Sequence, residues 1–424
     1  MEEVEIPQYF LCPISLQIMK DPVTTVTGIT YDRQSIEQWL LMTDENIATC
    51  PVTKQPLPRD IELLTPNHML GRLIRSWTIG NAENGIEQIP SPKYPMNKSH
   101  VIRLIRQMNN RETYVEALRK MGNMVSENEK NKKCLNEAGA IKAMVCFILR
   151  SFKEGKLIVG LEEALRIFHL VWSPTHENKQ LVKENHDLIE AILCILKSEM
   201  INNNNNNQVV IIKTHAIMVL KNVISVSSSN LLSSLTPEFF QEMLNILHKN
   251  SKNKVSQQAT KAALHVLIDA CPRGRNRLIM IELGAIFELI ELELSNNEKR
   301  VTELVFSLLL YLCSLADGRA ELVKHAAGIA VISKRILRIS PATDDSAIQI
   351  LGLISKFSAT KQVLIEMLRV GAVSKLCMVI QAHGEAYLKK KAMEILRAHS
   401  NVWSNSPCVQ IYLLTRYPGQ YIEL

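Results

Sequence analysis

Residues 1–80 hold three Cys or His side chains, the ligand types of paired structural zinc sites: Cys12, Cys50 and His68. A pair of structural zinc sites takes eight Cys or His ligands, four to each tetrahedron, so three cannot build it. A cysteine nucleophile needs a base beside it. Both cysteines stand next to proline, in "LCPI" and "TCPV", with no histidine in either motif. The later histidines, among them His169, His176, His186, His215 and His265, show no metal-ligand spacing, and "THENK" is not HExxH. No P-loop or dinucleotide fingerprint is present. The segment does hold a dense set of short polar and charged side chains: Ser15, Asp21, Thr30, Asp32, Arg33 and Glu37. Those can hold loops together by hydrogen bonds and ion pairs, so neither a metal nor a cofactor is expected.

The elements that would position these residues follow from the pattern. "MKDPVTTVTGITYDR" reads as two short strands turning at Thr27-Gly28. "DRQSIEQWLL" reads as a helix with Asp32 as N-cap and with Ile36, Trp39 and Leu40 on one face. "TPNHMLGRLIRSWTIGN" reads as a second helix, apolar at Met69, Leu70, Leu73, Ile74 and Trp77. Proline-punctuated loops, "FLCPISLQIMKDPV" and "ATCPVTKQPL", flank the first helix. Residues 81–97, with three prolines and no apolar period, place a domain boundary. The expected organisation is a small α+β domain over 1–80, a linker over 81–99, and a helical region over 100–424.

From His100 onward the sequence repeats itself. "NKKCLNEAGAIKAM", "GRNRLIMIELGAIFEL", "GRAELVKHAAGIAVI" and "TKQVLIEMLRVGAVSKL" each carry a short helix, a turn and a second apolar helix. The turn glycines align as Gly139, Gly284, Gly328 and Gly371, the last two steps being 44 and 43 residues. The 145 residues between Gly139 and Gly284 leave room for two further units, opened by "ENKQLVKENHDLIEAI" and "SLTPEFFQEMLNIL". Longer amphipathic helices lie between the turns, and a period in the forties marks a helical solenoid. The tract "INNNNNNQ" from Ile201 cannot bury a face and is expected to be a loop.

Composition fits a folded chain with ample core: 424 residues, 46% hydrophobic and 21% charged. The net charge of +7 is spread out, and Lys389-Lys390-Lys391 reads as a solvated face. Basic clusters interleaved with aromatics are missing, which argues against nucleic acid. The longest charge-free apolar run, Val305 to Ala316, is twelve residues, too short for a bilayer. "MEEVEIPQ" has no signal-peptide character, and nine scattered cysteines without a CxxC pair suit a reducing compartment. A cytoplasmic location, or a nuclear one, is the expectation.

Loop, hairpin, helix, loop, helix is the layout of a zinc-binding RING domain without its ligands. "FLCPISLQIMKDPVTTVTGITYDRQSIEQWL", "CPVTKQPL" and "LTPNHMLGRLIRSW" together resemble a U-box over Pro7 to Trp77. The region 100–403 is similar to armadillo repeats, with HEAT repeats as the rival. A U-box ahead of armadillo repeats is the arrangement of the plant U-box E3 ubiquitin ligases, and a U-box at the very start resembles their stress- and immune-signalling subgroup. That resemblance implies a mostly α fold and ubiquitin transfer without a catalytic nucleophile. It implies a ubiquitin-charged conjugating enzyme (E2) as partner, protein substrates on the repeats, and a homo- or hetero-oligomer through the U-box. By position, Ile14, Leu16, Trp39, Pro51 and Val52 would form the E2-facing groove. Lys54 would be the basic linchpin, in a place where arginine is common. Asn123, Asn222, Asp269, Ser314 and Lys356 would line a substrate groove. The alternative is an armadillo adaptor whose N-terminal box is only structural.

Overall fold

The computed structural model describes residues 6–42, 48–58, 63–81, 98–110, 112–154, 159–197, 206–248, 256–295 and 298–416. The chain divides into two compact units, Met1–Pro95 and Met96–Leu424. Of the linker expected over 81–99, residues 82–97 lie outside the described residues, Asn81 ends the helix before it, and Lys98 and Ser99 already belong to the helix after it.

In the first unit, strands β1 (Pro22–Thr24) and β2 (Thr30–Asp32) pair antiparallel. Gly28, at φ 79°, closes their turn, the left-handed geometry glycine adopts without a Cβ penalty. Helix α1 (Arg33–Met42) follows. β3 (Ala48–Thr49) and β4 (Pro56–Leu57) form a second hairpin. β5 (Thr65–Pro66) adds to β1, giving the order β2-β1-β5. Helix α2 (His68–Gly80) opens with the Asn67 side chain accepting from the Leu70 amide at 3.1 Å. Phe10, Val23, Tyr31, Ile36, Leu40, Leu57 and Ile74 fill the core. The apolar set expected on α2 splits. Ile74 is buried, Leu70 and Trp77 pack against the core, and Met69 and Leu73 face solvent.

In the second unit a helix pair, α3 (Lys98–Gln107) and α4 (Tyr114–Glu127), comes first. Three-helix units follow. They are α5 (Glu129–Glu137), α6 (Ala140–Glu154) and α7 (Leu161–Val171); then α8 (His176–Glu184), α9 (Asp187–Lys197) and α10 (Asn206–Ser225). Next are α11 (Ser229–Ser233), α12 (Pro237–Leu247) and α13 (Gln257–Ala270); then α14 (Gly274–Glu282), α15 (Ala285–Leu294) and α16 (Lys299–Cys313). The last full units are α17 (Ala316–Lys324), α18 (Gly328–Arg335) and α19 (Pro341–Phe357), and α20 (Lys361–Arg369), α21 (Ala372–Gln381) and α22 (Ala386–Ala398). α23 (Ser400–Trp403) and α24 (Pro407–Arg416) end the stack. The third helices pack in sequence, α4 on α7, then α10, α13, α16, α19 and α22, so each unit buries its apolar face against the next.

α10 contains a stretch, Gln208–Ser225, long and apolar enough to cross a membrane, but half of it is buried against neighbouring helices. Most of the asparagine tract falls outside the described residues. Asn206 and Asn207 already belong to α10, so a loop over the whole tract is too long.

The glycine alignment needs one correction. Gly139, Gly284 and Gly371 have φ of 83°, 82° and 81°, but Gly328 is an ordinary helical residue and Ala327, at φ −101°, holds the turn position. A Cβ on Gly328 would sit 2.0 Å from the Leu322 carbonyl oxygen, so glycine is needed there for close approach rather than for handedness.

A second repeat signature escaped the pattern reading. Buried Asn131, Asn178, Asn276 and Arg319, each near the start of a short first helix, donate to carbonyls just ahead of it: Met124 (3.1 Å), Ser173 (2.9 Å), Ala270 (3.0 Å) and Cys313 (3.0 Å). They bond carbonyls in the last turn of the preceding helix or, at Ser173, just past it. The signal was present as polar residues where "EKNKK", "HENKQ", "GRNRL" and "DGRAE" align.

Candidate functional site

The two Cys-Pro loops of the first unit are built alike. In "CPISLQ" the Cys12 amide donates to the Gln17 carbonyl (2.8 Å) and the Leu16 amide to the Cys12 carbonyl (2.8 Å). In "CPVTKQ" the same two bonds recur, Cys50 to Gln55 at 2.8 Å and Lys54 to Cys50 at 2.9 Å. The fifth residue of each loop is left-handed, Leu16 at φ 56° and Lys54 at φ 59°. Non-glycine residues rarely adopt that geometry, and the strain is held by the surrounding bonds. Its consequence is presentation: Leu16 is 74% exposed and Lys54 points to water.

Each loop wraps a buried sulfur. Cys50 Sγ accepts from the Thr53 amide (3.3 Å) and the Thr27 hydroxyl (3.4 Å) and pairs with the Tyr31 hydroxyl (3.0 Å). Cys12 Sγ accepts from the Asp32 amide (3.3 Å). Tyr31 and Asp32 are consecutive on β2, so one strand pins both loops. Burial opposes ionisation of Cys50, yet donors from Thr27, Thr53 and Tyr31 outweigh it and bring the thiol down to about 6. Cys12 is likewise buried, and the amides of Ser15, Asp32 and Ile14 with the Ser15 hydroxyl lower it. Tyr31 is pushed up by burial and by its bond to Cys50.

The polar residues singled out in the sequence are the outer staples. Asp32 Oδ1 accepts the amides of Lys20 (2.8 Å) and Asp21 (2.9 Å), so this oxygen ties the first loop to β2 as well as standing ahead of α1. Arg33 Nε contacts Asp21 Oδ2 at 2.6 Å, with Glu37 at 3.8 Å. Thr24 and Thr30 hydroxyls bond across the hairpin at 2.9 Å. Among the described residues no cluster of three His, Cys, Asp or Glu side chains could hold a metal ion.

Of the groove candidates, Leu16, Val52 and Lys54 are exposed, Pro51 and Ile14 are half-buried, and Ile14 rests on the core. Trp39 is half-buried too, and its indole N–H donates to the Thr49 carbonyl at 2.9 Å, one residue before Cys50. Trp39 therefore joins α1 to the second loop. Sequence reasoning missed the cysteine sulfurs as acceptors, although the parallel "CPISLQ" and "CPVTKQ" were legible.

On the repeats, Asn123 of α4 is exposed, and Asn222 of α10 and Asp269 of α13 are half-buried. Burial raises Asp269, with Lys221 opposing. Lys356 of α19 is exposed, its ammonium 5.1 Å from the Phe357 ring. Ser314 lies one residue past α16, where its hydroxyl donates to the Tyr311 carbonyl and accepts from Arg277 Nη1, both at 2.6 Å. It caps and cross-links helices. The structure puts the five on the same series of third helices or their ends, not in one pocket.

A small domain of two hydrogen-bonded Cys-Pro loops flanking a helix, with stacked three-helix repeats in the same chain, defines a U-box armadillo protein. Residues 6–83 match the U-box domain family and residues 99–419 the plant U-box protein ARM repeat region. The chain belongs to the plant U-box proteins that carry an ARM repeat region. Its relatives in Arabidopsis thaliana include E3 ubiquitin-protein ligase PUB24, 40% identical over 98% of this chain and 96% of that one. E3 ubiquitin-protein ligase PUB23 is 41% identical over 98% of both chains, and PUB22 is 38% identical over 99% of this chain and all of its own. Among solved structures, an engineered protein overlays with a TM-score of 0.54 at 16% identity, covering 77% of this chain and 75% of its own, which speaks to fold alone.

Proposed function

We propose that this protein is an E3 ubiquitin-protein ligase whose U-box docks a ubiquitin-charged E2 while the armadillo repeats hold the protein substrate. The observation that carries the reading is the pair of strained loops, which turn Leu16, Val52 and Lys54 outward beside half-buried Ile14, Trp39 and Pro51. A box kept only as structure has no use for two left-handed non-glycine residues that expose their side chains. Catalysis is positioning. The E2 carries the reactive thioester, and docking holds ubiquitin in the attack geometry, which removes orientational entropy from the barrier. Lys54 supplies the cationic donor toward E2 and ubiquitin. It acts as a point charge, without the planar fork of arginine, so the push it gives is the weaker one. Full-length relatives named E3 ubiquitin-protein ligases support the assignment.

The test is reconstitution with E1, a charged E2, ubiquitin and ATP. Autoubiquitination is expected, and it should persist after strong zinc chelation because the loops are held by sulfur acceptors and ion pairs. Activity lost on chelation and restored by zinc would overturn the metal-free reading, and no activity with any E2 would favour the adaptor. Division of labour is checked by pull-down. Residues 98–424 should retain the substrate and residues 1–80 should not, and the reverse result would make the solenoid a spacer.

Three further assignments complete the proposal: pairing of two chains through the U-box, a cytoplasmic or nuclear location, and a role in stress or immune signalling. Light scattering, cell fractionation and ubiquitin-remnant profiling of elicited against resting tissue test them in turn. A monomer, a secreted chain or an unchanged ubiquitin profile would refute each.

A further inference from the structure

Helices α19 and α22 pack side by side, and between them opens a cleft of about 430 Å³ lined by Gln349, Gly352, Leu353, Lys356, Phe357, Lys391, Glu394 and Ile395 among others. That volume falls within the roughly 300–1,000 Å³ of ligand-sized sites. Its floor is apolar, with Leu353 and Ile395, and it stays open where residue 352 has no side chain. Phe357, at one end, is 58% exposed, and the Arg319 guanidinium and the Lys356 ammonium lie 5.0 and 5.1 Å from its ring. Lys391 sits 5.6 Å from the Tyr387 ring. Among the described residues, neither Lys356 nor Lys391 has a carboxylate within ion-pair distance.

The acidic groups around the cleft do not neutralise it. Asp345 accepts from Gln349 Nε2 at 2.9 Å and from the Tyr387 hydroxyl. Glu394 is the one carboxylate on the wall. Two lysines therefore face the same cleft, with a third cation stacked behind its aromatic end. Like charges gathered around an apolar floor cost energy until an anion enters.

We propose that this cleft binds an extended acidic segment of the protein substrate, with an aromatic or aliphatic side chain seated over Leu353, Phe357 and Ile395 and flanking Asp or Glu carboxylates on Lys356 and Lys391. The proposal rests on the repeats being the substrate receptor and gives that surface a chemistry. Backbone groups of the segment have Gln349 as a partner.

Fluorescence anisotropy on the full chain tests it with two labelled peptides, one alternating Glu and Phe and the other Lys and Phe. The Glu–Phe peptide should bind at least about tenfold more tightly at low salt, a preference that falls as salt screens the charges. The double reversal K356E/K391E, of exposed Lys356 and half-buried Lys391, should erase or invert the preference. Gly352→Leu, which fills the cleft and leaves both lysines in place, should weaken Glu–Phe binding about tenfold with helical content unchanged. Equal binding of the two peptides, a preference that survives the reversal, or indifference to Gly352→Leu would each overturn the proposal. If the reversal leaves a substrate pull-down by residues 98–424 intact, the receptor stands and only this cleft falls. If that fragment retains no substrate while the peptide preference holds, the receptor reading falls instead.

Discussion

Cys50 and Cys313 are both fully buried, yet the first is brought down to about 6 and the second pushed up to about 12. In the U-box, sulfur accepts hydrogen bonds from the loop it organises. In the repeats, Cys313 and Cys271, the latter also pushed up to about 12 by burial, are apolar filler between helices. The difference extends to each unit as a whole. The U-box spans few residues and holds two loops under backbone strain with polar bonds aimed at single atoms. The solenoid relies on many interchangeable apolar contacts, and its polar groups cap helix ends. Precision is concentrated where a partner must be docked in one geometry, and extent is found where a long surface has to be offered.

One buried charge in the repeats departs from that contrast, and breaking it should give the largest effect. Glu293 is wholly buried, and its Oε1 takes Arg335 Nε at 2.6 Å and the Thr302 hydroxyl at 3.1 Å, while Oε2 has no partner. Burial raises its pKa, with Arg335 opposing. Glu293→Ala leaves Arg335 facing a cavity and should cost about 3 kcal/mol, the lower end for a broken buried pair because Arg335 keeps some water contact. Denaturant unfolding measures it, and the first unit's transition should not move. A loss below about 1 kcal/mol would mean that this pair contributes no more than a surface one.

The next effect belongs to the docking face. Leu16 is exposed and held outward by its backbone, so Leu16→Ala removes contact area without opening the core. With few anchors carrying a small transient interface, a loss of about 2 kcal/mol would slow E2 discharge near thirtyfold. Melting should stay put. Trp39→Ala is a different experiment, since it also frees the Thr49 carbonyl and should lower stability along with docking. Normal discharge by Leu16→Ala would remove the first loop from the E2 face.

How much of this was legible in the sequence follows the same divide. Apolar periodicity made the solenoid readable, because every unit repeats one packing problem. It misjudged Gly328, where close backbone approach selects glycine as firmly as a left-handed turn does. The U-box layout was readable from its punctuation and its polar inventory. What stayed hidden was which acceptor each donor finds: Cys12 and Cys50 read only as cysteines without a base or a metal partner, and Asp32 as a helix cap. Those pairings depend on β2 passing behind both loops, a tertiary fact that local spacing does not encode.

The last contrast is a pH slope that should separate the two units. In the unfolded chain the Cys50 thiol titrates near its ordinary value of 9.0, and in the folded U-box near 6. Between these values the unfolded state carries a proton that the folded state does not, so U-box stability rises with pH across that window and is lost on acidification through the lower value. His169 of α7 sets the opposite boundary for the repeats. Burial and the stacked His215, 3.0 Å away, bring it down to about 4 from an ordinary 6.5. Unfolding therefore takes up a proton only between those values, and the repeats lose stability on acidification below about 6.5. Hydrogen exchange on the intact chain, corrected for intrinsic rates and read separately for peptides of the two units, measures both slopes. From pH 6.5 to 7.5 protection should grow in the U-box and stay level in the repeats, whose Cys271 and Cys313, pushed up to about 12, oppose folding only as pH nears 9, and Cys50→Ala should flatten the U-box response. A U-box as flat as the repeats over that range would mean that Cys50 is a neutral thiol and donates where it has been read as accepting.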